Sequence, residues 1–132
     1  MKGDNTETVK KLYEAFKSGD GKTISQIFHP NIEWTQMKGF PNGGHFVGVN
    51  DVFEKVFGLF PMYWNNWGAE AQEYLADQDK VVVIGYYHGV SIETGRELKA
   101  PMVHIYTLKN NLITHFQQYT DTYLVQKALT NG

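Results

Sequence analysis

The stretch PMVHIYTLKNNLITHFQQYT, residues 101–120, holds two runs of β-branched and aromatic residues separated by Lys109-Asn110-Asn111. Asparagine tolerates left-handed backbone, so this tripeptide suits a hairpin between extended runs at 98–108 and 112–120. A three-residue loop with a bulge sets His104 opposite Phe116 and Met102 opposite Gln118, with all four on one face. A two-residue Asn110-Asn111 turn sets His104 opposite Gln117 and Met102 opposite Tyr119. The first register is preferred and the second stays open.

Working back from this hairpin, residues 81–92 form another β-rich run, joined to 98–108 across Thr94-Gly95. Gln78-Asp79 separates it from an extended run at 63–77, and neighbouring strands are expected to be antiparallel. The first half of the chain has a different period. Val9, Leu12, Tyr13 and Phe16 fall at helical spacing within 4–17, with Asp4, Asn5 or Thr6 available as a cap and Gly19 beyond the end. Asp20 caps a second helix through Phe28, with Ile24, Ile27 and Phe28 facing inward. Pro30 disfavours helix at His29, and 31–37 reads as extended. The segment 38–46 has a turn-forming composition, and the glycine-rich stretch 39–48 reads as a connector or mobile lid. Asn50 or Asp51 then opens a third helix with Val52, Phe53, Val56, Phe57 and Phe60, which Pro61 ends. A short helix over 122–129 closes the chain. Helices first and antiparallel strands second predict an α+β domain, with three N-terminal helices covering one face of a curved sheet.

The chain has 132 residues and neither an internal repeat nor a linker-like segment, so residues 1–132 read as one domain. A domain of this length buries roughly 70% of the surface its unfolded chain exposes. A formal charge of −2 offers no basic field for nucleic acid or anionic lipid. Without cysteine there is no thiol nucleophile, disulfide or thiolate metal site. The polar N-terminus lacks a signal core and no run approaches a membrane span, so a cytoplasmic, unprocessed protein is expected. Aromatic residues make up 14% of the chain, more than a plain small core requires, which points to an aromatic-lined cavity or an interface.

Specific residues carry a resemblance. Leu12-Tyr13-Glu14-Ala15-Phe16 followed by Gly19-Asp20 resembles the opening of the nuclear transport factor 2-like superfamily. Phe46-Val47-Gly48, Thr94-Gly95-Arg96, Val103-His104-Ile105-Tyr106 and the run from Phe116 through Tyr119-Thr120-Asp121-Thr122 are similar to its SnoaL-like, ketosteroid-isomerase-related branch. The resemblance covers nearly the whole chain. It implies a cone-shaped cavity between bent sheet and helices, a homodimer through the outer sheet face, and cofactor-free acid–base chemistry in catalytic members. Position by position, Trp34 stands where ketosteroid isomerase has its proton-shuttling aspartate, and Leu12 where it has its oxyanion-hole tyrosine, with Tyr13 about 100° further round the helix. His104 stands where it has a protonated aspartate, and Asp121 resembles the working aspartate of SnoaL-type cyclases and limonene epoxide hydrolases. The latter also need an arginine, and Arg96 lies in a turn.

Two groups therefore stand out as catalytic candidates, Asp121 as base or acid and His104 as hydrogen-bond donor. Each also has a plain structural reading, His104 as a neutral core histidine and Asp121 as the cap of the last helix. Trp34, Met102, Phe116 and Gln118 are expected to border the cavity, with Tyr13 near its entrance. Trp64 and Trp67 read as core or dimer face, with ligand stacking as the alternative, and Tyr86 or Tyr87, Val103 or Ile105, and Thr107 as the uncovered face of the sheet. No histidine pair has metal-ligand spacing, so no metal or cofactor is expected. Two functions fit: an enzyme that moves a proton on a small apolar molecule as an isomerase, cyclase or hydrolase, or a non-catalytic ligand-holding or assembly module.

Overall fold

The computed structural model describes residues 2–130. Two helices, α1 (Lys2–Ser18) and α2 (Gly21–Ile27), precede strand β1 (Phe28–Gln36), and a short β2 (Gly44–Val47) returns antiparallel to it. Then come α3 (Val49–Lys55), a 3-10 turn at Phe57–Leu59 and a one-turn α4 (Phe60–Tyr63). The long strands β3 (Trp64–Asp77), β4 (Lys80–Ser91), β5 (Glu97–Lys109) and β6 (Leu112–Thr120) follow, and α5 (Thr122–Leu129) ends the described chain. The six strands form one sheet in the order β2-β1-β6-β5-β4-β3.

Several expectations are corrected. Only two helices stand at the N-terminus; the third follows the first two strands. Helix α1 begins at Lys2, so Asp4, Asn5 and Thr6, the three cap candidates, all lie within it. Part of the glycine-rich connector is the edge strand β2, paired with β1 from Glu33↔Val47 to Gln36↔Gly44. Pro61 does not end a helix. It sits in the first turn of α4, where a missing N–H costs nothing. Not every neighbouring pair is antiparallel either, because β1 lies parallel to β6, with Trp34 beside Phe116.

The last hairpin adopts neither expected register. Asn110 and Asn111 both take positive φ, 51° and 65°, and form a two-residue turn that pairs Lys109 with Leu112 and Leu108 with Ile113. A bulge then slips the register by one residue, so Thr107 faces His115, Tyr106 faces Phe116, His104 faces Gln118 and Met102 faces Thr120. Thr114, the extra residue, donates its hydroxyl to the Thr107 carbonyl at 3.2 Å. The slip restores the parity that the short turn removes, so Met102, His104, Phe116 and Gln118 are all buried on one side of the sheet.

Period-two alternation makes that side the core. Val81, Val83 and Tyr87 of β4, and Leu98, Ala100, Met102, His104, Tyr106 and Leu108 of β5, are buried beneath the helices. Val9 and Leu12 of α1 and Val125 of α5 complete the packing. Gly85 permits a close crossing where β3 bulges between Ala71 and Glu73, since a Cβ there would lie 1.8 Å from the Glu70 carbonyl oxygen. Local signals set the helix ends. Gly19 at φ 68° turns the chain out of α1, and Asp20 accepts from Thr23 N at 3.1 Å to start α2.

Candidate functional site

The inner face of the sheet, the corner between α1 and α2, and the segment from α3 to α4 border an open cavity of about 790 Å³. Phe53, Phe57 and Phe60 form its helical wall, and Trp34, Phe116, His104, Tyr106 and Tyr87 its sheet wall. Phe57 meets the Trp34 ring edge-on with centroids 5.3 Å apart, and Phe60 stacks on Trp67 at 4.6 Å. Trp67 in turn lies over Tyr87 at 4.7 Å. Such walls offer π-faces and edges to an apolar guest.

Behind this wall runs a buried polar chain. The Tyr106 hydroxyl donates to Tyr13 at 2.9 Å. Tyr13 lies 2.5 Å from His104 Nδ1, and His104 Nε2 lies 2.5 Å from the Tyr87 hydroxyl. Gln118 Nε2 donates to Tyr87 at 2.8 Å, and Gln118 Oε1 accepts from the Met37 backbone N–H at 2.9 Å. Burial disfavours the charged forms throughout: it lowers His104 to about 3 and raises Tyr13, Tyr87 and Tyr106 above the ordinary phenol value. His104 is therefore a neutral imidazole at physiological pH, able to donate at one nitrogen and accept at the other.

Charge is confined to one stretch of the cavity wall. Glu70 holds Lys17 Nζ at 2.9 Å and His88 Nε2 at 3.2 Å. The Lys17 hydrogen bond, reinforced by His88, keeps the Glu70 carboxyl below its usual range. Two N–H groups on wall residues have no acceptor among the described residues, Gln36 Nε2 and Trp64 Nε1. Gln36 spends its oxygen on Trp34 Nε1 at 2.9 Å.

The residues singled out from sequence divide into three groups. Trp34, Phe116 and His104 line the cavity. Tyr13 and Gln118 stand behind the wall and reach it through His104 and Tyr87, so Tyr13 is not at an entrance. Met102 is buried in the core and does not line the cavity. Asp121 is not brought together with His104 there: it is exposed, and its Oδ1 accepts from Leu124 N at 3.1 Å to cap α5. Capping of the following helix holds it at the end of β6.

Sequence reasoning missed Tyr87 as a wall residue; Trp64, read as core, is buried there and also lines the cavity, and Trp67 packs against the core and lines it too. The alternation of β4 was the available signal for Tyr87, because once Val81 and Val83 face inward, Tyr87 does too. Among the described residues no group of three or more histidines, aspartates or glutamates could hold a metal ion, and no helix is long and apolar enough to cross a membrane.

Comparison with known proteins agrees with this architecture. An NTF2-like protein from Burkholderia thailandensis is 28% identical, with a TM-score of 0.92 over 96% of this chain and 97% of that one. TerC, co-crystallised with polyporic acid, is 23% identical with a TM-score of 0.87 over 96% of this chain and 98% of its own. A candidate SnoaL-like polyketide cyclase from Jannaschia is 18% identical with a TM-score of 0.82 over 99% and 94%. No curated protein matches. The model of the SnoaL-like domain matches residues 9–116, most of the chain, and the protein belongs to that family.

Proposed function

We propose that this protein holds one compact, mostly apolar molecule in the aromatic cavity, without a cofactor. The carrying observation is the cavity itself: about 790 Å³, within the usual range for small-molecule sites, walled by aromatic rings and backed by a few polar groups. TerC, which shares the fold, is co-crystallised with polyporic acid, which fits this use of the space. The test is titration with a hydrophobic dye, then displacement by a panel of small aromatics. One site per chain and a raised melting temperature are expected. A panel that neither displaces dye nor shifts the melting temperature would leave the non-catalytic assembly module as the better reading.

A second reading, acid–base catalysis of the isomerase, cyclase or hydrolase type, rests on a different observation. Glu70 is ionised and hydrogen-bonded to His88 at the cavity wall, while Asp121 stands at the surface. In that reading Glu70 is the acceptor for a substrate proton and the His104 chain polarises the substrate. Turnover lost in Glu70→Gln and kept in Asp121→Asn would support it.

A further inference from the structure

Residues 37–43 form a strap between β1 and β2, folded around the turn Phe40-Pro41-Asn42-Gly43. Pro41 presets the first corner of that turn, and the Gly43 N–H closes it on the Phe40 carbonyl at 3.0 Å. Three side chains anchor the strap. Phe40 is buried against Phe60, Trp67 and Tyr87, with ring centroids 6.3, 5.8 and 5.8 Å away. Asn42 is buried too, and its Nδ2 donates to the carbonyl of Val56, the residue that ends α3, at 3.0 Å. From α5, Gln126 Nε2 donates to the Gly39 carbonyl at 2.7 Å.

The strap therefore needs an amide at 42, and it needs glycine at 43. A Cβ on Gly43 would lie 2.6 Å from the Met37 carbonyl oxygen and 3.1 Å from that of Phe40. Together the two requirements write Asn-Gly, the pair in which no side chain shields the following backbone nitrogen from the Asn side-chain carbonyl. The sequence holds one other such pair, Asn131-Gly132, which lies outside the described residues.

We propose that Asn42 is a modification site, at which spontaneous deamidation through Gly43 proceeds only while the strap is open and afterwards prevents the strap from closing. In the reaction the Gly43 nitrogen loses its proton and bonds to Asn42 Cγ, the Cγ–Nδ2 bond breaks, and Nδ2 leaves as ammonia. Water then opens the resulting succinimide to aspartate or isoaspartate. In the closed strap both nitrogens are held, one by the Phe40 carbonyl and the other by the Val56 carbonyl, so neither attack nor departure can begin. The product reverses that arrangement. A carboxylate only accepts, so closing the strap on it sets oxygen against the Val56 oxygen in a buried place. An isoaspartate also adds a backbone carbon within the four-residue turn. Phe40 then loses its anchor beside Trp67 and Tyr87, whatever the cavity holds.

The experiment holds wild-type protein in mildly alkaline buffer with and without urea and cleaves it after Lys38 and Lys55. Mass spectrometry of the peptide 39–55 follows the conversion, and fragmentation separates Asn42 from Asn50. Conversion at Asn42 is expected to be at least about tenfold faster in urea. Equal rates in the two buffers, or no conversion in either, overturn the inference. The second half is read by hydrogen exchange in Asn42→Asp, where the amides of 38–43 should exchange at least about tenfold faster than in wild type while those of β4 and β5 do not change. Unaltered exchange in the strap overturns the claim that the acid form cannot close. Should Asn42→Asp fail to fold, the acid form that accumulates in wild type without urea, separated by its added negative charge, is measured in the same way.

Discussion

Trp34 lies flat against Phe116, with ring centroids 3.6 Å apart and planes inclined by 15°. The two residues sit side by side on the parallel strands β1 and β6, so the stack joins the pair that links the hairpin β1–β2 to the rest of the sheet. Their coupling is measurable in a double-mutant cycle with Trp34→Leu and Phe116→Leu. Urea unfolding should give a coupling of about 1 kcal/mol beyond the single costs. Additive costs would mean that each ring contributes only its buried area.

His104 makes stability depend on pH. Its pKa is about 3 in the folded chain, against about 6.5 when unfolded. Between these values the unfolded state binds the extra proton, so His104's contribution is complete above pH 6.5 and is lost as pH falls toward 3. The slope is about 1.4 kcal/mol per pH unit within that window. His104→Gln should be less stable at pH 7, and the gap to wild type should narrow on acidification from 6.5 to 4. Parallel stability curves would show that the imidazole titrates alike in both states.

The carboxylate of Asp121 makes one specific bond, to the amide of Leu124. Asp121→Ala should therefore cost about 1 kcal/mol in chemical denaturation, whereas Asp121→Asn, which keeps a capping oxygen, should cost much less. Dye binding in the cavity should be the same for both variants and wild type. A large change in binding with Asp121→Asn would show that the residue acts on the cavity after all.

Much of this fold was legible because local chemistry and pattern agree. Gly19-Asp20, Thr94-Gly95 and Asn110-Asn111 mark turns that the backbone uses, and the β6 range 112–120 matches the strand. The register was not legible, since Thr114 has no chemical signature of a bulge and its slip depends on the inward placement of both Ile113 and Phe116. His104 was found because a polar residue in a buried strand stands out. The site's other members were harder to find. Phe57, Phe60, Trp64 and Trp67 look like ordinary core in a list of residues, and only the arrangement of the short helices leaves space between them and the sheet. Parallel pairing of β1 with β6 joins residues about eighty positions apart, beyond the reach of local pattern.

The outer side of the sheet carries the opposite parity of the same strands. Val82, Ile84 and Tyr86 of β4 and Val103 and Ile105 of β5 are only partly buried, and Tyr119 of β6 is 47% exposed. The helices α1 and α5 pack on the other side, against such residues as His104 and the strand β5. A contiguous apolar face of this kind is unusual on a monomer, and we propose that it is covered by a second copy of the chain, whose same face would supply the complementary β-branched and aromatic surface. Sedimentation at micromolar concentration is expected to give a dimer. Ile105→Lys, which sets a charge in the middle of that face at a residue that does not line the cavity, should shift the protein to a monomer that still binds the dye. A monomeric wild type would leave the sheet face without this role, and a dimeric Ile105→Lys would move the interface elsewhere.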